Sequence, residues 1–379
     1  MATQGPIVLA AGGTGGHLFP AQALAEELAG RDHALALLTD RRGGDYSGAL
    51  GAIETHQINA ASPSGGLVTK LRGLISLAGG VFQARALLRR LRPSAVVGFG
   101  GYPSVPTVLA AANAHIPTVI HEQNAVMGRA NRLLVSRADR IATSFDSVAR
   151  LGAHNRKRAS RTGNPVRAAI GAIGALPYPA LEPGGRLNLL VLGGSLGATV
   201  MSRVVPAALI LLEPEQRARI HLVQQCRAED IDAVRATYDE AGIRAELATF
   251  FDDMAQRLGA AHLIICRAGA STVAELPTAG RPAILVPYPH ATDDHQTANA
   301  KALTLTDGAW LMAEPDFTTD TLCARLQSFL ETPETLTKAA SRLAIAARPE
   351  AAKLLADLVE ALADGDDEDS MEGQREAAA

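Results

Sequence analysis

The stretch GGTGGH at residues 12–17 follows the apolar run IVLAA and opens a segment rich in Ala and Leu. Glycines between a strand and a helix let backbone N–H groups approach an anion at the helix N-terminus, where the partial positive charge sits. His17 stands directly behind them. At a helix N-terminus the imidazolium form is disfavoured, so the ring is expected to stay neutral and able to take a proton, as a general base must. The same position suits a histidine that only hydrogen-bonds a neighbouring loop, and the residues alone leave both roles open. Two familiar phosphate-binding patterns do not fit. No Gly-Lys-Ser/Thr follows, as a P-loop requires, and a G-x-G-x-x-G fingerprint begun at Gly13 meets Leu18 where a small residue is needed. Asp40, after the next strand, is what keeps an NAD site in view.

Three later stretches repeat the pattern. GFGGYPSVP (98–106) and LVLGGSLGA (190–198) each follow an apolar strand; both can cradle a phosphate, and both can be plain turns or close strand–helix packing. In CRAGASTVAELPTAGRP (266–282) a glycine turn leads to a helix expected to start near Ser271 or Thr272, with Glu275 near its mouth. A carboxylate there can accept two hydrogen bonds from the vicinal diol of a ribose; it can equally be a capping-box glutamate paired with Thr272 or Ser271. PYPHATDDHQTANA (287–300) is a polar loop, but His290, Asp293, Asp294 and His295 have no matching ligand cluster elsewhere, and no metal site is expected.

The elements that must position these residues alternate. Strands are expected at 6–11, 34–39, 95–100, 117–122 and 140–144, with helical stretches between them. After GNPVR (163–167) and a Pro/Gly-rich span the series restarts, with strands at 220–226, 245–251, 262–269 and 282–289 following the one at 187–192. Strand–turn–helix repetition predicts an α/β protein with two Rossmann-like parallel sheets, ligands binding at the carboxyl ends of the strands in the cleft between the halves. The expected division is 1–163, 164–345, a helical segment at 346–363 and a disordered acidic tail at 364–379.

Composition agrees. With 379 residues, 47% apolar and 20% charged, the chain is long enough for two globular domains. A net charge of −3 is no sign of nucleic-acid binding. Three scattered cysteines suit a reducing compartment, the start lacks the pattern of a signal peptide, and no window is apolar enough to span a membrane. The stretch at 67–92 sets Leu67, Leu71, Leu74, Ile75, Ala78 and Phe82 at helical spacing, flanked by Lys70, Arg72, Arg85, Arg89, Arg90 and Arg92. That suits an anionic membrane surface or a helix packed on its own sheet, and Gly79 and Gly80 are expected to weaken or break it.

Taken together, AGGTGGHLFPA, GFGGYPSVP, HEQNAVMGRANR, GNPVR, LGGSLGA, FFDDM, CRAGASTVAEL and PYPHATDDHQTANA resemble the MurG family of bacterial glycosyltransferases, in the family's order from about residue 7 to 300. The resemblance implies a GT-B fold with a C-terminal helix, here 351–363, crossing back to the first domain. It implies inverting transfer of N-acetylglucosamine from UDP-N-acetylglucosamine to lipid I, giving lipid II, with no cofactor and no metal. Donor contacts implied are Thr14, Gly15, Gly16, Asn124, Arg167, Ser195, Phe251, the run Ala270, Ser271, Thr272, Val273, Ala274 and Glu275, and His295 or Gln296. Glu275 takes the ribose, Ser195 and its turn the diphosphate, and the Phe251 region the uracil.

On the acceptor side His17 is the candidate base, with Glu122 and Asn124 nearby, and Gly13, Gly100, Gly101 and Tyr102 hold the lipid diphosphate. Membrane contact falls to Lys70, Arg72, Leu74, Ile75, Phe82 and Arg85, placing the protein in the cytoplasm, peripheral on the cytoplasmic face of the inner membrane. Other cell-wall synthesis proteins are candidate partners. Ser271 departs from the larger apolar residue common in the family, and the loop at 290–296 leaves His295 and Gln296 interchangeable. A UDP-sugar epimerase or a non-catalytic UDP-sugar-binding scaffold can share the ribose glutamate and the diphosphate turn; an NAD oxidoreductase fits least, since both glycine turns miss its fingerprint.

Overall fold

A computed structural model describes residues 5–13, 15–40, 49–60, 66–194 and 197–365. The chain divides into two compact units, 1–167 with 350–379, and 168–349. Thr14, Ser195 and residues 366–379 of the acidic tail lie outside the described residues.

The first unit holds β1 (Ile7–Ala10), β2 (Leu35–Thr39), β3 (Glu54–Gln57), β4 (Ala95–Gly98), β5 (Thr118–Glu122), β6 (Arg140–Thr143) and β7 (Ala159–Arg161). Its spatial order is β3-β2-β1-β4-β5-β6-β7, with every pairing parallel. Both faces are covered, so the central strands read as unbroken apolar runs. Their side chains alternate between two cores: Val8, Ala36, Leu38 and Val96 enter one, and Ile7, Leu9, Leu37 and Val97 the other.

The second core is completed by the end of the chain. Leu355, Ala356, Leu358 and Val359 of the helix Ala351–Asp364 pack with Leu24 and Leu28 of the helix Gly15–Gly30. Arg31 fastens the pair, 2.7 Å from Glu27, 2.7 Å from Asp357 and 2.5 Å from Glu360, and His33 meets Glu360 at 2.7 Å.

The second unit repeats the plan with β8 (Leu187–Leu192), β9 (Ile220–Gln225), β10 (Ala245–Ala248), β11 (Leu263–Cys266), β12 (Ala283–Leu285) and β13 (Ala309–Leu311). The order β10-β9-β8-β11-β12-β13 is again parallel throughout. In each unit the strand order reverses beside the first strand, between β1 and β4 and between β8 and β11. Open α/β sheets bind ligands at such a switch point, outside the carboxyl ends of the strands.

One expectation fails. Leu67–Leu91 is a single 25-residue helix that runs through Gly79 and Gly80. Gly80 is buried, and a Cβ there would collide with the Asn59 carbonyl and come within 3.0 Å of Pro106. The glycine permits close packing instead of ending the helix. Three short strands, β3, β7 and β13, also lie where no strand was expected.

Candidate functional site

In the first unit the turns that follow β1 and β4 meet at the switch point. Gly13 has φ +90°, and the helix Gly15–Gly30 begins two residues later, so Gly15, Gly16 and His17 form its first turn. Gly100 and Gly101, at φ +82° and +68°, carry the chain from β4 into the helix Gly101–Asn113, which puts Tyr102 in that helix's first turn. His17 lies on this second turn. A Cβ on Gly100 would stand 3.4 Å from its Cε1, and one on Gly101 would stand 3.2 Å from its Cδ2. The structure thus sets His17 against Gly100 and Gly101, with Gly13 and Tyr102 in the same two strand–helix turns.

Behind them lies a buried polar network at the end of β5. Glu122 Oε1 accepts from the Asn124 backbone N–H at 3.0 Å and from Asn124 Nδ2 at 3.3 Å. Its Oε2 accepts from the Gly128 N–H and Asn131 Nδ2, each at 2.8 Å. Both oxygens are therefore occupied by the loop they organise, which makes Glu122 a positioning residue with Asn124 as one of its donors.

His121 was missed by sequence reasoning, although it stands in the HEQN stretch. It is fully buried; Nε2 donates to the Gly163 carbonyl at 2.9 Å, and Nδ1 lies 3.0 Å from Gln123 Nε2. Burial pushes its pKa down to about 4, and the neighbouring His17 adds to the shift. Gln123 in turn donates to the Phe99 carbonyl at 2.9 Å, tying β5 to the turn after β4. Arg167 is not part of this network; its guanidinium stacks 4.2 Å above the Phe19 ring.

The second unit assembles its own set. Gly194 and Gly197, at φ +81° and +68°, shape the turn after β8 that leads to the helix Thr199–Ile210. After β11 the helix Ala270–Ala279 begins one residue before the expected start, with Gly269 as N-cap. Ala270, Ser271, Thr272, Val273, Ala274 and Glu275 are its first six residues. A capping box needs a Ser or Thr cap and a glutamate three residues on. Gly269 has no side chain to cap with and Glu275 comes six residues later, so the capping reading is excluded. The buried Ser271 hydroxyl makes no hydrogen bond among the described residues.

His295 and Gln296 open the helix His295–Thr304; His295 Nδ1 is 2.8 Å from the Thr292 carbonyl, and Gln296 Oε1 accepts from the Tyr288 N–H at 2.9 Å. The Phe251 side chain is buried, with the Arg257 guanidinium 4.1 Å above the ring, while the adjacent Phe250 is 69% exposed. Of the two rings in this region, Phe250 is the one open to solvent.

Ile75 and Phe82 stand seven residues apart on the helix Leu67–Leu91, 64% and 73% exposed, with Arg85, Arg89 and Arg90 exposed along the same helix. The side chains of Lys70, Arg72 and Leu74 lie outside the described residues. Among the described residues no helix is long and apolar enough to cross a membrane, and no group of three His, Cys, Asp or Glu residues is placed to hold a metal ion.

The chain is similar to known proteins along most of its length. The glycosyltransferase family 28 N-terminal domain matches residues 7–143, and the family's C-terminal domain matches residues 188–355. The chain is 55% identical to the UDP-N-acetylglucosamine--N-acetylmuramyl-(pentapeptide) pyrophosphoryl-undecaprenol N-acetylglucosamine transferase of Rhodospirillum centenum, over 93% of each chain. The chain belongs to glycosyltransferase family 28. The enzyme of the same name from Paramagnetospirillum magneticum is also 55% identical, over 95% of this chain and 97% of its own. Among solved structures, MurG of Acinetobacter baumannii superposes with a TM-score of 0.73 at 31% identity, over 94% of this chain and 99% of that one. The family 28 assignment carries the two-domain GT-B architecture, and in this chain both domains place their glycine turns at the switch point.

Proposed function

We propose that this chain transfers N-acetylglucosamine from UDP-N-acetylglucosamine to the 4-hydroxyl of the N-acetylmuramyl unit of lipid I, giving lipid II for peptidoglycan synthesis. The 55% identity along 93% of the chain to a transferase of that name carries this reading. The donor sugar is α-linked and the product β-linked, so the anomeric carbon is inverted by direct displacement. One base suffices: His17 takes the proton of the attacking hydroxyl, while the turns at Gly13 and at Gly100, Gly101 and Tyr102 hold the acceptor's diphosphate. Glu122 and Asn124 keep the neighbouring loop in place.

On the donor side Glu275 accepts from the ribose hydroxyls, Phe250 offers its ring to the uracil, and Gln296 or His295 borders the sugar. Ser195 takes the diphosphate together with the N–H groups in the first turn of the helix 270–279. Together with Arg167 these stabilise the leaving UDP without a metal; one such preorganised donor is typically worth about 3–4 kcal/mol. Lipid I is anchored in a bilayer by its undecaprenyl tail, so the enzyme must work at that surface. The helix carrying exposed Ile75, Phe82 and Arg85 suits insertion among anionic headgroups on the cytoplasmic side of the inner membrane, with Lys70, Arg72 and Leu74 of the same sequence stretch as further contacts.

The test is incubation with UDP-N-acetylglucosamine and a short-chain lipid I analogue in EDTA. The expected product is a β-linked disaccharide on the lipid. Conversion of UDP-N-acetylglucosamine to its 2-epimer without an acceptor, or UDP binding with no turnover, contradicts the reading.

A further inference from the structure

Arg227 follows β9 at the carboxyl edge of the second sheet, and the reading above gives it no role. Its backbone is fixed, because its carbonyl accepts from the Asp230 N–H at 3.0 Å and the Ile231 N–H at 3.1 Å, where the helix Ile231–Glu240 begins. Its side chain lies on the glycine turn that follows the neighbouring strand β8. A Cβ at Gly197 would collide with Arg227 Cγ, so this position needs glycine both for its φ of +68° and for the arginine stem laid across it. The guanidinium ends at the start of the next helix, where Nη1 donates to Thr199 Oγ1 at 2.8 Å.

A cation at a helix N-terminus faces the positive end of the helix dipole. What offsets it here is Glu229, ion-paired to Nη2. The two side chains are 39% and 56% exposed, so water screens the pair and a better anion can displace it. A doubly charged anion at the turn would meet the helix N–H groups and the guanidinium together, and charge-assisted hydrogen bonds of that kind are the strong ones.

We propose that Arg227 is a further donor-binding residue that hydrogen-bonds the diphosphate of the nucleotide sugar, with Glu229 holding the guanidinium until the anion arrives. This inference rests on the donor reading of the turn after β8. Its chemistry is recognition of a diphosphate, so the test separates the diphosphate from the nucleoside.

UDP is titrated by calorimetry and uridine by ligand-observed NMR, against the full-length wild type and the variants Arg227→Met, Arg227→Lys and Glu229→Gln. Arg227→Met is expected to weaken UDP about tenfold or more, the usual worth of a hydrogen bond to a charged group, and to leave uridine unchanged. Arg227→Lys recovers part of the loss, and Glu229→Gln binds UDP as tightly as wild type or tighter. Equal losses for UDP and uridine, or no loss for UDP, would overturn the proposal. A wild type that binds UDP and transfers sugar while Arg227→Met binds UDP normally defeats this inference alone. A folded wild type that binds no UDP defeats the donor reading and this inference together.

Discussion

At the switch point of the first unit, β1 and β4 end in Gly12 and Gly13 and in Gly100 and Gly101; at that of the second, β8 and β11 end in Gly193 and Gly194 and in Gly269. Both units thus pass from strand to helix through glycines. The surrounding side chains differ. The first unit sets His17 on its turn and backs it with buried His121, Glu122, Gln123 and Asn131, each hydrogen-bonded to the chain around the site. The second sets a half-exposed helix start bearing Ser271 and Glu275, with Arg227 laid over the other turn. Under the proposed function, the duplicated topology sets both ligand sites at switch points, while a buried polar base under one and an open polar rim at the other divide proton transfer from donor holding.

The comparison breaks most sharply if the network under the first site is removed. Glu122→Ala strands four buried or half-buried donors of the loop 124–131, and we expect a loss of about 3 kcal/mol or more in urea unfolding, with UDP affinity unchanged. Weakened UDP binding would mean that the division of roles is wrong.

Acid should act on the same unit. His121 is held neutral, its pKa pushed down from 6.5 to about 4. Between those values the unfolded chain binds a proton that the folded chain does not, so stability is complete above pH 6.5 and falls with pH towards 4. The full loss is about 3 kcal/mol, and unfolding midpoints near pH 7 and near pH 5 should show its onset. A His121→Gln variant should flatten that slope. The second unit's His262, buried and shifted down for the same reason, should act in the same direction.

The smallest effect concerns the chain end. Arg31→Met removes a partly exposed ion-pair cluster and should destabilise by about 1 kcal/mol or less, since such pairs are screened. Faster amide exchange confined to the helix 351–364 is the expected signature; exchange unchanged there would mean that Leu355 and Val359 alone hold it.

Much of this was legible in the sequence where buried strands leave apolar runs and where glycines punctuate them. The missed strands are edge or near-edge ones: ETHQ and ASR carry almost no apolar residues, and AWL is three residues long, so hydrophobic pattern had nothing to register. Gly80 misled because a glycine that weakens an isolated helix is the residue that lets a packed one approach Asn59. Phe250 and Phe251 are adjacent and chemically identical, and only burial under Arg257 separates them. His121 escaped because its burial and its bond to Gly163, 42 residues away, arise only in the folded sheet.

The central claim is that His17 performs proton transfer and not donor binding. The most direct test is the transfer rate of His17→Ala beside wild type, with UDP affinity measured on both proteins. We predict a fall in kcat of about 100-fold or more, as for loss of a general base, with UDP affinity intact. Near-normal turnover, or a loss of UDP binding that accounts for the lost rate, would contradict it.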